Sequence, residues 1–316
     1  MNKLFVLWAL LFAGITHAQY PARPLRLVVP FAPGGATDIL ARAIGQKLAE
    51  RLGQAVVIEN KPGAGTTIGA DFVAKSPADG YTVLFAPTPF AISQVMVAKL
   101  PYDARRDFVP ITLLAVSPFI LVAHPSLPVN SVQDLVALAK ARPAALSFCS
   151  AGNGTVPHLA GELFKFSAGI DIVHIPYKGG GPAIIDLVAG QTQLMFATPV
   201  EVAQHVAAGR LKVLAATAPQ RLPAYPQVPT MQEAGFRDYD IRAWFGVFAP
   251  AGTAPEIVAR LAREFAAVVE APEMRERFAA QGAEVLVLPQ AEFARFVQTD
   301  IARWASIVKA SGAKIE

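Results

Sequence analysis

One pattern recurs along this chain and restricts its fold: a short apolar strand, a turn of Gly, Pro, Ser or Thr, then the start of a helix. The first instance spans residues 25–50, LRLVVPFAPGGATDILARAIGQKLAE. Leu25, Leu27, Val28 and Val29 form the apolar, β-branched run of a buried strand. The run breaks at Pro30-Phe31-Ala32-Pro33-Gly34-Gly35, and Ile39, Leu40, Ala43, Ile44 and Leu48 then share one helical face. Gly35 or Thr37 caps that helix, and Asp38 sits in its first turn, where the helix dipole favours an acid. Such a strand, turn and helix start leave backbone N–H groups pointing outward at an anion.

The pattern returns with strands at 55–59, 81–85, 146–149, 170–175 and 194–197, and most of the turns after them lead into a helix. Ser131 caps a further helix over 131–142. Strands at 243–249 and 284–288, among helices at 255–271, 273–281 and 290–310, close the chain. Alternation of this kind predicts an α/β fold with mostly parallel sheets covered on both faces. Two such series predict two lobes, residues 19–118 with 241–316 and residues 119–240, so that the chain crosses between them twice.

With 316 residues, 53% of them hydrophobic, the chain can bury the cores of two domains. Its mean hydropathy of +0.39 is high, yet beyond the first stretch Pro and Gly interrupt every apolar run before it could span a bilayer. Residues 1–18 read as a secretory leader: Lys3 supplies the charge, 4–15 the apolar segment, and Thr16-His17-Ala18 the cleavage site. The competing reading, an N-terminal anchor, needs a longer apolar run. Cys149 is the only cysteine, so the sequence predicts neither a lipid anchor nor an internal disulfide. Net charge is +4, falling to +3 without Lys3, and the basic residues are scattered, which argues against nucleic acid. A periplasmic monomer is expected.

In open α/β sheets, ligands bind beyond the carboxyl ends of the strands. Here those ends carry Gly, Pro, Ser and Thr, which predicts a cleft walled by Gly34-Gly35, Thr88-Pro89, Gly152–Thr155, the turn at 177–180 and Thr198. Its donors would be N–H groups and hydroxyls, which suit a carboxylate. Any one of these turns is more simply a tight turn; five together argue for a site. Phe31, Phe90, Tyr177 and Trp244 are placed to line the cleft or to fill a core. Asp38 could meet a ligand ammonium, but its place in the first helical turn explains it without one.

Nucleotide and metal motifs fail. No Lys-Ser/Thr follows Gly34-Gly35, and Gly63-Ala64-Gly65-Thr66-Thr67-Ile68-Gly69 is one residue too long for a dinucleotide fingerprint. His124, His158, His174 and His205 lack metal-binding spacing, so neither a metal nor a cofactor is expected. Ser150 and His158 flank a Gly-rich turn without a nucleophile elbow, which leaves an exported hydrolase as the weaker alternative. Cys149 lies in a strand and reads as a buried apolar residue.

The stretch Pro30–Asp38 resembles the Bug-type solute receptors of tripartite tricarboxylate transporters. So do Glu59-Asn60-Lys61-Pro62-Gly63-Ala64-Gly65, Leu100-Pro101-Tyr102-Asp103, Ser150-Ala151-Gly152-Asn153-Gly154 with His158, and Pro176-Tyr177-Lys178-Gly179. Val228-Pro229-Thr230, Trp244-Phe245-Gly246 and Ala249-Pro250-Ala251-Gly252-Thr253 extend the likeness over nearly the whole chain. The resemblance implies a two-lobe, Venus-flytrap binding protein of type II-like architecture that closes on a small organic carboxylate: a di- or tricarboxylate, an amino acid or an aromatic acid. It implies delivery to membrane permease subunits, with a membrane sensor as the alternative listener, and no catalysis. By position, Phe31, Gly34, Gly35, Thr37 and Asp38 would form the first-lobe grip. Ser150, Gly152, Asn153, Gly154 and His158 would form the second-lobe grip, beside Tyr177 and Lys178. Thr155-Val156-Pro157, Pro87-Thr88-Pro89-Phe90 and Ser93-Gln94 depart from the family pattern. Fewer hydroxyls and the added Phe90 imply a less polar pocket for an aromatic or larger carboxylate, an expectation that a pocket without Phe90 would overturn.

Overall fold

The computed structural model describes residues 20–237, 239–280 and 282–311; the predicted leader lies outside the described residues. The chain runs through β1 (Leu25–Val29), α1 (Ala36–Leu52), β2 (Val56–Asn60), α2 (Thr67–Ala74), β3 (Thr82–Pro87), α3 (Pro89–Met96) and β4 (Phe108–Pro118). There follow β5 (Ile120–Ala123), α4 (Val132–Ala141), β6 (Ser147–Ser150), α5 (Val156–Ala168), β7 (Val173–Pro176), α6 (Gly180–Val188), β8 (Leu194–Ala197), α7 (Pro199–Ala207) and β9 (Lys212–Ala216). The last elements are β10 (Arg242–Pro250), α8 (Pro255–Glu270), α9 (Pro272–Ala280), β11 (Glu284–Leu288) and α10 (Gln290–Ser311).

The strands form two sheets, one per domain. Six lie in the order β11-β4-β10-β3-β1-β2, and five in the order β7-β6-β8-β5-β9. Pairing is parallel between β1 and its neighbours β2 and β3, and between β6 and its neighbours β7 and β8. Around β4, β10, β11, β5 and β9 it is antiparallel. The sheets are therefore mixed where alternation predicts mostly parallel ones. The cause is the double crossing: β4 leaves the first sheet and β10 returns to it, so the two lie side by side in opposite directions.

β1 explains the first apolar run: Leu25, Leu27, Val28 and Val29 are completely buried. α1 then covers the sheet with Leu40, Ala43, Ile44 and Leu48, and ends where Gly53, at φ +64°, donates its N–H to the Ala49 carbonyl. α3 begins with Pro89, directly after the Thr88 cap that follows β3. This helix carries Phe90 inward. Its ring lies 4.9 Å from Phe248 and 5.9 Å from Tyr102, in the core of the first lobe. At the C-terminus, Trp244 Nε1 and Trp304 Nε1 both donate to Asp300 Oδ2, at 2.7 and 2.9 Å, which fastens α10 onto β10.

The two crossings touch one side chain. Thr217, fully buried after β9, accepts the Phe119 N–H at 2.9 Å through Oγ1, and its hydroxyl faces the Ile241 carbonyl. Its backbone N–H donates to the Phe119 carbonyl, and its carbonyl accepts from the Ile241 N–H.

Candidate functional site

Five helices begin at one cavity. The N-cap residues of α1, α3, α5, α6 and α7, namely Gly35, Thr88, Thr155, Gly179 and Thr198, all line a cleft of about 270 Å³. Two of these helices follow strands of the six-stranded sheet and three follow strands of the five-stranded one. Each helix start exposes N–H groups without intrahelical partners and the positive end of a dipole. Gly35, rather than Thr37, proves to be the cap of α1.

The hydroxyls divide into engaged and free. Thr155 Oγ1 donates to the Gly152 carbonyl at 2.7 Å, and Thr198 Oγ1 donates to Glu201 Oε2 at 2.7 Å. Thr88 Oγ1 accepts from the Trp244 N–H at 2.7 Å, which leaves its own proton for a ligand. Apolar walls come from Phe31, Phe119 and Phe245, with Pro33, Pro87, Pro157 and Pro182 between the helix starts. Lys178 and Glu201 are the charged side chains among the lining residues. Burial pushes the Glu201 carboxyl above the usual range, against the Thr198 hydroxyl, the Thr198 N–H and the Ala36 N–H, which favour its charged form.

Of the residues proposed from sequence, Phe31, Gly35, Thr37, Thr88, Pro89, Thr155, Lys178 and Thr198 line this cavity. The others stand outside its wall. Asp38 turns away from the cleft and accepts from Gly34 N–H at 3.0 Å, Arg42 Nε at 2.9 Å and Asn60 Nδ2 at 2.9 Å. Burial alone would raise its pKa; Arg42, Gly34 and Asn60 outweigh it and hold the carboxyl below its ordinary value. Gly34 is thus part of that brace rather than of the lining.

In the second lobe, Ser150 Oγ lies 2.7 Å from His174 Nε2, and His158 Nδ1 accepts the Gly154 N–H at 3.2 Å. Ser150 is fully buried and pairs with His174 rather than His158, so it presents no nucleophile to the cavity. Gly152, at φ +129°, could not carry a Cβ without approaching the Tyr177 carbonyl to 2.9 Å. Asn153 is exposed, and Tyr177 directs its hydroxyl to Asp186 Oδ2 at 2.6 Å. These residues shape the loop that supports Ala151 and Thr155.

Phe90 requires a correction. It is completely buried in the core of the first lobe and does not line the cavity, because α3 turns it inward at its second residue. The expectation of a pocket suited to aromatic or larger acids, so far as it rested on Phe90, falls with it. The apolar wall comes instead from Phe119 and Phe245, at a chain crossing and on β10, where the sequence offers no strand-end glycine signal. Glu201 was missed as well, although Thr198-x-x-Glu201 has capping-box spacing.

The sequence profile of the tripartite tricarboxylate transporter family receptor, TctC, matches residues 40–313. Protein BugT of Bordetella pertussis is 38% identical over 315 residues, covering 99% of this chain and 97% of the relative. Among solved structures, R. palustris Rpa4515 with adipate superposes with a TM-score of 0.90 at 37% identity, over 94% of this chain and all (100%) of the other. MatC from Rhodopseudomonas palustris with bound malate gives a TM-score of 0.84 at 33% identity, over 92% of this chain and all (100%) of the other. With most of its length matched by that profile and by these relatives, the chain belongs to the tripartite tricarboxylate transporter receptor family.

Proposed function

We propose that this protein is an extracytoplasmic receptor that captures a small organic carboxylate in the interlobe cleft and delivers it to a tripartite tricarboxylate-type membrane transporter. The observation that carries the reading is the meeting of five helix N-termini around one cavity with apolar walls. A carboxylate there meets N–H groups from both lobes, so binding favours the closed arrangement, and closure is what a membrane partner reads. Two related structures, one with adipate and one with bound malate, agree with an acid as ligand.

The lobes divide at residues 19–118 with 241–316 and residues 119–240, and Thr217 ties the two crossings as the hinge. The leader directs the chain to the periplasm and is cleaved near Ala18; with Cys149 as the only cysteine, no lipid holds it to the membrane. No helix among the described residues is long and apolar enough to cross a membrane. The role is binding without turnover.

The test is a thermal-shift screen of the mature protein, unfolded and refolded to strip resident ligand, against mono-, di- and tricarboxylates, amino acids and aromatic acids. A ligand present at a hundred times its Kd adds about 2.7 kcal/mol to the native state. A selective rise in Tm with one class of acid is expected. No shift with any acid overturns the reading.

A further inference from the structure

The capping of α7 accounts for only one oxygen of Glu201. Oε2 accepts from the Thr198 N–H at 3.1 Å and from Thr198 Oγ1 at 2.7 Å. Oε1 points elsewhere: a Cβ built on Gly180, the first residue of α6, would collide with it. From the other lobe, the N–H of Ala36, first residue of α1, joins Thr198 in favouring the charged form, against burial, which favours the neutral acid. The caps of both helices, Gly35 and Gly179, have no side chain to satisfy those N–H groups. A carboxylate belonging to the protein thus lies between two helix starts, one from each lobe, where an incoming anion would gain most.

We propose that Glu201 is a built-in carboxylate that fills one anion seat of the cleft, so that the receptor selects acids with a single carboxylate on an apolar body and discriminates against dicarboxylates. This rests on the carboxylate-receptor reading above. A ligand's first carboxylate has the starts of α3 and α5 and the remaining N–H groups of α1. Its second would have to sit beside Glu201, where like charges oppose each other, or evict Glu201 from two hydrogen bonds. An apolar tail meets neither obstacle and packs on Phe31, Phe119 and Phe245. Lys178, the one basic side chain in the lining, is exposed and offsets a second charge only through solvent.

Calorimetric titration of the refolded mature protein with chain-matched acids, hexanoate against adipate and benzoate against terephthalate, tests this. Wild type is expected to bind the monoacid of each pair roughly tenfold tighter or more. Glu201→Gln, which keeps an acceptor for the Thr198 cap, is expected to narrow that ratio by about tenfold. Gly180→Ala keeps the Glu201 charge but pushes the carboxylate from its seat, so it should narrow the ratio in the same direction. Tight diacid binding by wild type overturns the proposal. So does an unchanged ratio in both variants, the result if Glu201 were a neutral donor that Gln imitates or a cap alone. In either case the receptor reading stands, because acids still bind. Failure of every acid to bind wild type and both variants overturns the receptor reading, and this proposal with it.

Discussion

The imidazole rings of His158 and His174 stack with their centroids 4.2 Å apart, 21° from parallel. His158 Nδ1 must be unprotonated to accept the Gly154 N–H. Burial, with Lys165 nearby, pushes His158 down from 6.5 to about 4; burial, His158 and Lys165 push His174 down to about 3. Between pH 6.5 and these values the unfolded chain binds protons that the folded chain refuses, so stability falls as pH drops through that window. One unit is worth about 1.4 kcal/mol, which makes the His158 contribution roughly 3 kcal/mol when fully expressed. Urea midpoints measured from neutral pH down to acid should decline steeply, and His158→Gln should flatten the decline. An equal slope in that variant would show that the pair does not titrate with folding.

Asp38 braces the loop that leads into α1 through three hydrogen bonds to Gly34, Arg42 and Asn60. Asp38→Ala leaves the Gly34 N–H and the Asn60 amide short of a partner in a partly buried site, at a cost of about 2–4 kcal/mol. The folded carboxyl lies below its ordinary value, so its stabilisation is present above pH 3.8 and is lost as pH falls through the folded value. Equilibrium unfolding of the variant near neutral pH, compared with wild type, measures the loss, and a midpoint equal to wild type would refute the brace. Ligand affinity should fall as well, since Gly35 and Thr37 belong to the same turn.

Thr217 is the hydroxyl shared by both crossings. Thr217→Val keeps the shape and strips the hydrogen bonds from Phe119 and Ile241, which should lower stability by about 1–3 kcal/mol. Because both crossing segments lose the same tie, the free protein should also sample open forms more often if they act as the proposed hinge. Small-angle scattering with and without ligand reads this as a larger change in radius of gyration than in wild type. Identical changes in the two proteins would mean that the hinge pivots elsewhere.

Phe90→Ala is expected to cost about 3–5 kcal/mol, the loss for a fully buried aromatic, while the ranking of ligands stays as in wild type. Altered ranking would return Phe90 to the cleft. The residue also shows where the sequence ceased to be legible. Strands, glycine turns and helix starts carry local signals, so β1, α1 and the cleft positions Gly35, Thr155 and Thr198 could be read directly, with the cap of α1 left between Gly35 and Thr37. Whether a side chain beyond a cap points into the cleft or back into the core depends on helix phase, and Pro89-Phe90 gives no phase until the length of α3 is known. Phe119 and Phe245 reach the cavity through tertiary neighbours, β5 and β10, that no local pattern announces. The antiparallel pairs were hidden for a related reason: strand direction follows from the path between lobes.

β10 lies between β3 and β4 in the six-stranded sheet, yet it follows the whole second lobe in sequence. A chain that emerges from its amino end therefore exposes the open edge of β3 and leaves β4, whose partners are β10 and β11, without a sheet until residues 242–250 arrive. The five-stranded sheet has no such debt, since all of its strands come from one uninterrupted stretch, 120–216. The five-stranded sheet can therefore be completed while the six-stranded one still waits for β10. Long-range pairing of this kind is slow and leaves edges open to other chains. A chain that lengthens from its amino end must pass through that interval with those edges unpaired, which is where a chaperone would find it.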